Sequence, residues 1–256
     1  MAIYGREDEQ MNRFDGTVVL VTGATRGIGR AIASAFLKEN ATLVGIYAGN
    51  EESAAAFIAE HQEAEGRIDL RRCNVADPQQ VTDLFEHLET RYQRLDILVN
   101  NAGVRRDAVL AMMNDSQWQE VIDTNLTGTF LMARNAVPLM MRNKFGRIVN
   151  ITSPVARLGF AGQANYAASK AGQIALAKSL AREVAKKKIT VNCVSPGFIA
   201  TDFLDGLPRE LLDEYRKLVP MRRFGTPAEV AHAVLFLCSA EAAYISGTVL
   251  EVSGGL

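Results

Sequence analysis

Two residues four apart, Tyr166 and Lys170, are the first feature of the sequence that could do chemistry. On a helix, side chains with this spacing lie on one face, one turn apart. A free tyrosine titrates near pH ~10, and a neighbouring ammonium lowers the pKa of a phenol because it favours the phenolate. Ser153 ends an apolar run and can bring a hydroxyl to the same place. Together, these three side chains can polarise and protonate a carbonyl.

The composition is that of one globular domain with a sizeable core. The chain has 256 residues, of which 48% are hydrophobic and 22% charged, and its net charge is −1. Without a run of one charge, we expect neither a nucleic-acid nor an anionic-membrane surface. No apolar run approaches the ~20 residues of a membrane span, and the N-terminus has no secretory or transit signal, so a cytoplasmic location is predicted.

The cysteines and histidines predict no metal site. Cys73, Cys193 and Cys238 are far apart and have no metal-ligand spacing, and an odd number fits a reducing compartment. The three histidines lie in separate helical patterns, so we expect them to be surface or packing residues.

Apolar runs alternate with helical patterns along the chain. The predicted strands are Thr17–Thr22, Ala41–Tyr47, Arg67–Cys73, Asp96–Asn100, Gly146–Thr152, Ile189–Ser195 and Thr248–Val252. The predicted helices are Gly27–Glu39, Glu51–Ala64, one from Asp77-Pro78, Ser116–Asn143, Gln163–Lys187, Leu207–Leu218 and Thr226–Cys238. This alternation predicts an α/β fold, a single Rossmann-type doubly wound parallel sheet with helices on both faces. Residues 1–13 are predicted to be a polar N-terminal arm outside a domain of residues 14–256.

Ligands of such sheets bind at the carboxyl ends of the strands, so the loops there are the candidate sites. The first, Thr22–Gly29, has its glycines in a G-x3-G-x-G pattern between a buried strand and a helix. Glycines let backbone N–H groups approach a pyrophosphate at the helix N-terminus, although a plain strand–helix turn is the alternative. The predicted cofactor contacts here are Gly23, Thr25, Arg26, Gly27, Ile28 and Gly29.

The second strand ends without a carboxylate until Glu51. A carboxylate at that point would bond the ribose hydroxyls of NAD and repel a 2′-phosphate. Arg26 offers donors to such a phosphate, unless it is merely a solvated loop charge. Both observations favour NADP, with Ala48 beside the adenosine ribose.

Three later loops complete the predicted cofactor site. The loop after the third strand would hold an adenine edge, Gly103 would let the backbone approach the ligand closely, and the loop at Pro196 would hold a carboxamide. Asn100–Gly103 alone could be only a turn. The predicted contacts are Asn74, Val75, Asn101, Ala102, Gly103, Pro196, Gly197, Ile199 and Thr201, together with Tyr166 and Lys170.

A polar cluster, Asp123–Gly128, lies inside a predicted helix. Such residues are mildly unfavourable there, so we expect a bend, with Asn125 turned toward a water near Lys170. An exposed polar face is the alternative.

Residues 202–221 are predicted to be a substrate lid, the alternative being a plain surface helix.

The glycine loop, Asn100–Gly103, Asn125, Ser153, Tyr166 with Lys170, and Pro196-Gly197 occur in one order. This ordered set resembles the short-chain dehydrogenase/reductase family across residues 14–256. The resemblance implies a nicotinamide cofactor and hydride transfer to or from a carbonyl carbon. It also implies that Tyr166 is the general acid, Lys170 lowers the tyrosine pKa and holds the nicotinamide ribose, Ser153 bonds the substrate oxygen, and Asn125 supports a water in a proton relay.

Within the family, longer segments are similar to 3-oxoacyl-[acyl-carrier-protein] reductases. They are Asn100–Leu110, Gly162–Gly172, Ser179–Ala185, Pro196–Asp202 and Ala240–Gly247. The similarity implies that NADPH reduces a β-ketoacyl thioester on an acyl carrier protein, with Ser153, Gln163 and Tyr166 at the substrate. Arg147 and Arg182 would dock the carrier, or would be ordinary surface charges. A homotetramer is implied, and helix 163–187 is rich enough in small residues to pack at an interface.

Two residues depart from the group. Pro154 follows the predicted catalytic serine, and Ala48 stands where a hydroxyl is frequent. Proline keeps Ser153 out of helical geometry and can reshape the substrate wall. Fatty-acid and polyketide-type pathways remain open, as do two alternatives: a dehydrogenase of free small alcohols, sugars or cyclic ketones, and a non-catalytic cofactor-binding module.

Overall fold

A seven-stranded, fully parallel sheet forms the centre of the protein. The computed structural model describes residues 12–201 and 208–256. The strands are β1 Val18–Thr22, β2 Thr42–Tyr47, β3 Ile68–Arg72, β4 Ile97–Asn100, β5 Gly146–Ile151, β6 Ile189–Pro196 and β7 Val249–Val252. Their order is β3-β2-β1-β4-β5-β6-β7. The predicted doubly wound α/β fold is confirmed.

Nine α-helices are present in the described part of the chain. They are α1 Gly27–Lys38, α2 Glu51–Glu60, α3 Pro78–Tyr92, α4 Asp115–Val121, α5 Gly128–Asn143, α6 Val155–Leu158, α7 Ala164–Val184, α8 Arg209–Leu218 and α9 Pro227–Cys238. Asp77 caps α3, since its side chain accepts from the backbone N–H groups of Gln79 and Gln80. Thr226 caps α9 through a capping box with Glu229.

Alternate residues of the strands fill two separate cores. Val19 and Val21 of β1 face the core that includes residues of α1, α2 and α9. Val18 and Leu20 face the other core, with residues of α3, α5 and α7. Because both faces are covered, β1 and β4 to β6 are buried along their whole length, which explains why β1 shows no polar alternation.

Three predicted boundaries need correction. The helix predicted over 116–143 is interrupted by a π-helical segment at Ile122–Thr127, which overlaps the polar cluster at Asp123–Gly128. The helix predicted to end at Ala64 ends at Glu60, followed by a 3-10 turn. The short helix α6 after Pro154 was not predicted.

The predicted arm and lid lie partly outside the described residues. Arg13, at the end of the predicted arm, forms an ion pair with Glu39 at 2.5 Å, and Phe14 is buried in the core. Of the predicted lid, 202–207 lies outside the described residues. Its described remainder contains α8, which has no buried residue.

Candidate active site

A cleft of about 1130 Å³ runs along the carboxyl ends of the strands. It lies at the point where β1 and β4 are neighbours and the strand order reverses, which is where parallel sheets bind ligands. Every predicted cofactor and substrate residue lines it: Gly23, Thr25, Arg26, Gly27, Ile28, Gly29, Ala48, Asn74, Val75, Asn101, Ala102, Gly103, Ser153, Gln163, Tyr166, Lys170, Pro196, Gly197, Ile199 and Thr201.

The glycine loop is packed so closely that one position excludes any side chain. A Cβ at Gly29 would overlap with the carbonyl of Gly23 and with the side-chain amide of Asn101. Gly23 and Gly27 have φ angles of +66° and +52°, which favour glycine. The start of α1 therefore presents bare backbone to the cleft, as a pyrophosphate requires.

Asn101 holds the first and fourth loops together. Its side-chain Nδ2 donates to the carbonyl of Thr22 at 2.9 Å and to that of Gly23 at 3.2 Å. The Thr22 hydroxyl accepts in return from the backbone N–H groups of Asn101 and Ala102, at 2.9 and 2.8 Å. Asn101 thus shapes the cleft wall chiefly by binding protein backbone.

The rim beside Ala48 carries two cationic side chains. Arg26 is exposed, and its side chain has no ion-pair or hydrogen-bond partner among the described residues. Arg72, at the end of β3, donates from Nε to the carbonyl of Ala48 at 3.1 Å. Nothing in the sequence singles out Arg72, because only the parallel register of β2 and β3 brings it next to this turn.

Ser153 and Tyr166 both line the cleft, and the Ser153 hydroxyl acts to lower the pKa of the Tyr166 phenol. The Ser153 Oγ also accepts from the backbone N–H of Val155 at 3.4 Å, across the turn that Pro154 makes before α6. Pro154 thus places Ser153 before the helix, and this turn orients the hydroxyl. The two hydroxyls are arranged to bind one substrate oxygen.

The phenol of Tyr166 does not have the lowered pKa that the sequence predicted. Burial raises its pKa, while Arg105 and the hydrogen bond with Ser153 act in the opposite direction. The Lys170 Nζ lies 5.5 Å from the centre of the Tyr166 ring. The ligand-free protein therefore keeps the phenol protonated at neutral pH, which is the form that a general acid needs.

Lys170 is a buried cation one turn along α7, as its spacing from Tyr166 predicted. Its Nζ donates to the carbonyl of Ile151 at 2.7 Å and to Oε1 of Gln173 at 3.1 Å. Burial lowers the pKa of Lys170 to about 8, because the charged form is removed from water. The ammonium thus remains charged at neutral pH but titrates near the physiological range.

Asn125 lies in the π-helical segment and is bonded to the loop after β4. Its side chain accepts from the N–H of Val104 at 2.8 Å and donates to the Val104 carbonyl at 3.0 Å and to Ser169 Oγ at 3.1 Å. The side chain therefore ties the π-helical segment to the loop after β4 and to α7. The carbonyl of Asn125 accepts from Gln173 Nε2 at 2.7 Å, so the connection to Lys170 passes through a residue that the sequence analysis missed.

The start of α7 is tied to the loop after β4. The buried side chain of Asn165 donates to the carbonyls of Arg106 and Gln117 at 2.9 and 3.1 Å and accepts from the N–H of Tyr166 at 2.7 Å. Gln163 donates to Asp107 at 3.2 Å across the cleft. These bonds fix where the Tyr166 side chain enters the site.

Aromatic side chains close the substrate side of the cleft. Phe198 stacks on Tyr215 of α8 with ring centres 4.8 Å apart, and Phe160 meets Phe198 edge-on at 6.4 Å. All three line the cleft. They were not singled out in the sequence because they come from three separate segments.

Arg147 is not available for docking a carrier protein. It is only 5% exposed and is the second residue of β5, at the end of the strand opposite Ser153. Its guanidinium donates to the carbonyls of Gly146 and Lys188 at 3.0 and 3.3 Å and packs on the ring of Phe145. Arg182, by contrast, is exposed on α7.

Neither a metal centre nor a membrane span is found in the described chain. Over residues 12–201 and 208–256, no three His, Cys, Asp or Glu side chains are grouped to hold a metal ion. No helix in these ranges is long and apolar enough to cross a membrane.

Comparison with known proteins identifies the family. A family model described as "Enoyl-(Acyl carrier protein) reductase" matches residues 23–256. This match covers most of the chain and all of the predicted site residues. The chain belongs to the short-chain dehydrogenase/reductase family, as the ordered motifs predicted.

Curated relatives match the chain over almost its full length. It is 44% identical to the 3-oxoacyl-[acyl-carrier-protein] reductase FabG of Staphylococcus aureus strain Mu50, over 93% of this chain and 96% of that protein. The FabG proteins of Salmonella typhimurium and Escherichia coli K12 are also 44% identical, over 95% of this chain and 98% of theirs. Members of this family are nicotinamide-dependent oxidoreductases, in agreement with the cleft and the Ser153, Tyr166 and Lys170 geometry.

Replacing Gly29 with alanine should damage the dinucleotide site specifically. The added Cβ overlaps with the Gly23 carbonyl, so the loop must move; overpacking of this kind costs about 1–3 kcal/mol. We expect NADPH affinity, measured by fluorescence titration, to fall by ~10-fold or more, the equivalent of about 1.4 kcal/mol.

Gly49→Ala is the matched control, because a Cβ at Gly49 meets nothing within 4 Å. Its unfolding midpoint in urea should be unchanged. If Gly29→Ala binds NADPH as well as the wild-type protein does, the close loop packing is not what forms the site.

Proposed function

We propose that the protein reduces a β-ketoacyl thioester, carried on an acyl carrier protein, to the β-hydroxyacyl thioester with NADPH. The observation that supports this most is that Ser153, Tyr166 and Lys170 line one end of a dinucleotide-sized cleft together, with the Lys170 ammonium 5.5 Å from the centre of the Tyr166 ring. The FabG relatives, named as 3-oxoacyl-[acyl-carrier-protein] reductases, supply the substrate class. Fatty-acid biosynthesis is the pathway their name favours.

The residues of the chain perform the proton half of the reduction. The substrate carbonyl oxygen lies between the hydroxyls of Ser153 and Tyr166, where two hydrogen bonds polarise the carbon. As the carbon receives hydride, Tyr166 transfers its proton to the oxygen. Lys170, held charged by the Ile151 carbonyl and Gln173, stabilises the phenolate that remains.

The cleft fits a nicotinamide dinucleotide on the evidence of its own backbone. Gly29 leaves room only for bare N–H groups at the start of α1, and the rim near Ala48 offers the Arg26 guanidinium, with no carboxylate before Glu51. The bound cofactor supplies the hydride. Arg26, assisted by Arg72 from β3, would select a 2′-phosphate and thus NADPH.

The remaining parts of the proposal concern recognition of the substrate. Arg182 is the exposed residue proposed to contact the acidic carrier, since Arg147 is buried. Within residues 208–221 of the proposed lid, Tyr215 stacks on Phe198 at the site. A homotetramer is also proposed, because the small residues on α7 would let helices of neighbouring subunits pack closely.

Tyr166→Phe should abolish turnover without unfolding the protein or losing the cofactor. The phenylalanine keeps the ring but has no proton to donate, and loss of a general acid typically costs ~10²–10⁴-fold. We expect kcat with an acetoacetyl carrier thioester to fall by at least ~10²-fold. NADPH affinity, followed by fluorescence, should change by less than ~3-fold.

Tyr244→Phe, on a fully exposed tyrosine, is the matched control and should keep wild-type kcat. The wild-type protein should also be assayed with a crotonyl carrier thioester and with a polyol–ketose pair. Faster reduction of the crotonyl thioester would favour the enoyl reductase that the family description names. A faster ketose reaction would identify a free-sugar dehydrogenase, and substantial activity of Tyr166→Phe would remove the acid assignment.

Arg26→Ala should weaken selection for NADPH. A hydrogen bond to a charged group is worth about 1.5–3 kcal/mol, so KM for NADPH should rise by ~10-fold or more, while KM for NADH should rise by less than ~2-fold. The steady-state KM for each cofactor is the measurement.

Arg30→Ala is the control, since Arg30 lies one turn along α1 and is paired with Glu60. It should leave both KM values within ~2-fold of the wild-type ones. Equal increases for NADPH and NADH in Arg26→Ala would show that Arg26 does not bind a 2′-phosphate.

A further inference from the structure

Gln173 is a fully buried amide next to the buried cation of the site. Its Oε1 accepts from the Lys170 ammonium at 3.1 Å. Its Nε2 donates to the carbonyl of Asn125 and to Oγ1 of Thr129, both at 2.7 Å. The amide therefore connects Lys170 to the backbone of the π-helical segment.

The neighbours of Gln173 fix the direction of its amide. The Thr129 hydroxyl donates to the Asn125 carbonyl at 2.7 Å, so it can only accept from Gln173. A flipped amide would direct its oxygen at the Asn125 carbonyl and its N–H₂ at an ammonium. Both contacts would be repulsive, so the oxygen must face Lys170.

The Lys170 ammonium depends on few acceptors. Among the described residues these are the Ile151 carbonyl from β5 and Oε1 of Gln173, its one side-chain acceptor. The third ammonium N–H remains for the cleft, which Lys170 lines. Losing one acceptor from a desolvated charge is costly, because the buried ammonium N–H is then left unsatisfied.

No carboxylate compensates the Lys170 charge from the packed elements described. Tyr166 faces it from α7 and Cys193 from β6, and burial raises the pKa of Cys193 to about 12, so that thiol is neutral. Asn125 and Thr129 are neutral, and β5 contributes only a carbonyl. Arg105 and Asp107, after β4, act on Tyr166.

We propose that Gln173 is a positioning residue for proton transfer, which keeps the Lys170 ammonium charged and directed at Tyr166 by anchoring it to the Asn125 carbonyl. This inference rests on the proposed reductase function. Because an amide does not ionise near neutral pH, Gln173 orients the cation and does not itself carry the proton. Lys170 therefore exchanges protons through its cleft side.

Gln173→Met tests the proposal, since methionine keeps the chain length but offers the ammonium no comparable acceptor. Removing a hydrogen bond to the charged form lowers a lysine pKa, here by about one pH unit. The alkaline limb of kcat/KM for acetoacetyl thioester reduction should move to lower pH by that amount. Gln173→Glu should move it to higher pH, because a carboxylate beside the ammonium favours the charged form.

A second measurement does not use the reaction. Titration of the Lys170 ammonium by NMR, in protein labelled with ¹⁵N-lysine and free of ligands, should show the same opposite shifts in the two variants. If the wild-type protein reduces no β-ketoacyl thioester, the proposed function fails, while this titration still decides the role of Gln173.

Asn192→Leu is the matched control, because Asn192 is an equally buried amide with two partners, the Ile245 carbonyl at 2.8 Å and the Thr248 N–H at 3.1 Å. Its melting temperature should fall, with the Lys170 titration unchanged. Gln173 is only a packing residue if its two variants also lower the melting temperature but leave the Lys170 titration and the pH profile unmoved.

Discussion

The site depends on keeping an ammonium charged inside the protein. Removing a lysine from water costs several kcal/mol unless its N–H groups find acceptors. The Ile151 carbonyl and Gln173 provide them, and the Gln173 amide is in turn held by the Asn125 carbonyl. Lys170 therefore requires the end of β5, helix α7 and the π-helical segment to be in register at one point. The charge that helps Tyr166 to give up its proton is a product of this packing.

The same parallel topology places the cofactor cleft against the acid. Because the strand order reverses between β1 and β4, the loops after these strands separate and leave a crevice, which Asn101 and Thr22 fix through four hydrogen bonds. β5 and β6 extend the edge to Ser153 and to the turn at Pro196. Because β5 lies next to β4, a cofactor in the crevice would be adjacent to a substrate carbonyl at Ser153.

Much of this could be predicted from the sequence, because it depends on local periodicity. The spacing of Tyr166 and Lys170 gives one helix face, and parallel strands bring their following loops to one edge. The roles of Gln173 and Arg147 could not be predicted. Gln173 binds a carbonyl 48 residues away, and the burial of Arg147 follows from its place at the amino end of β5. Likewise, the direction of the Tyr166 pKa shift could not be predicted, because it depends on burial and on Arg105 and Asp107 from the loop after β4.

The central claim is that the buried cation and the tyrosine serve hydride transfer to a carbonyl carbon. It is tested most directly by reducing an acetoacetyl carrier thioester with NADPH doubly deuterated at the nicotinamide C4 and analysing the product by mass spectrometry and NMR. The account predicts a 3-hydroxybutyryl thioester with one deuterium on C3 and a hydroxyl proton that exchanges with solvent. A product without deuterium at C3, or a labelled saturated product formed only when a crotonyl thioester is supplied, would contradict it.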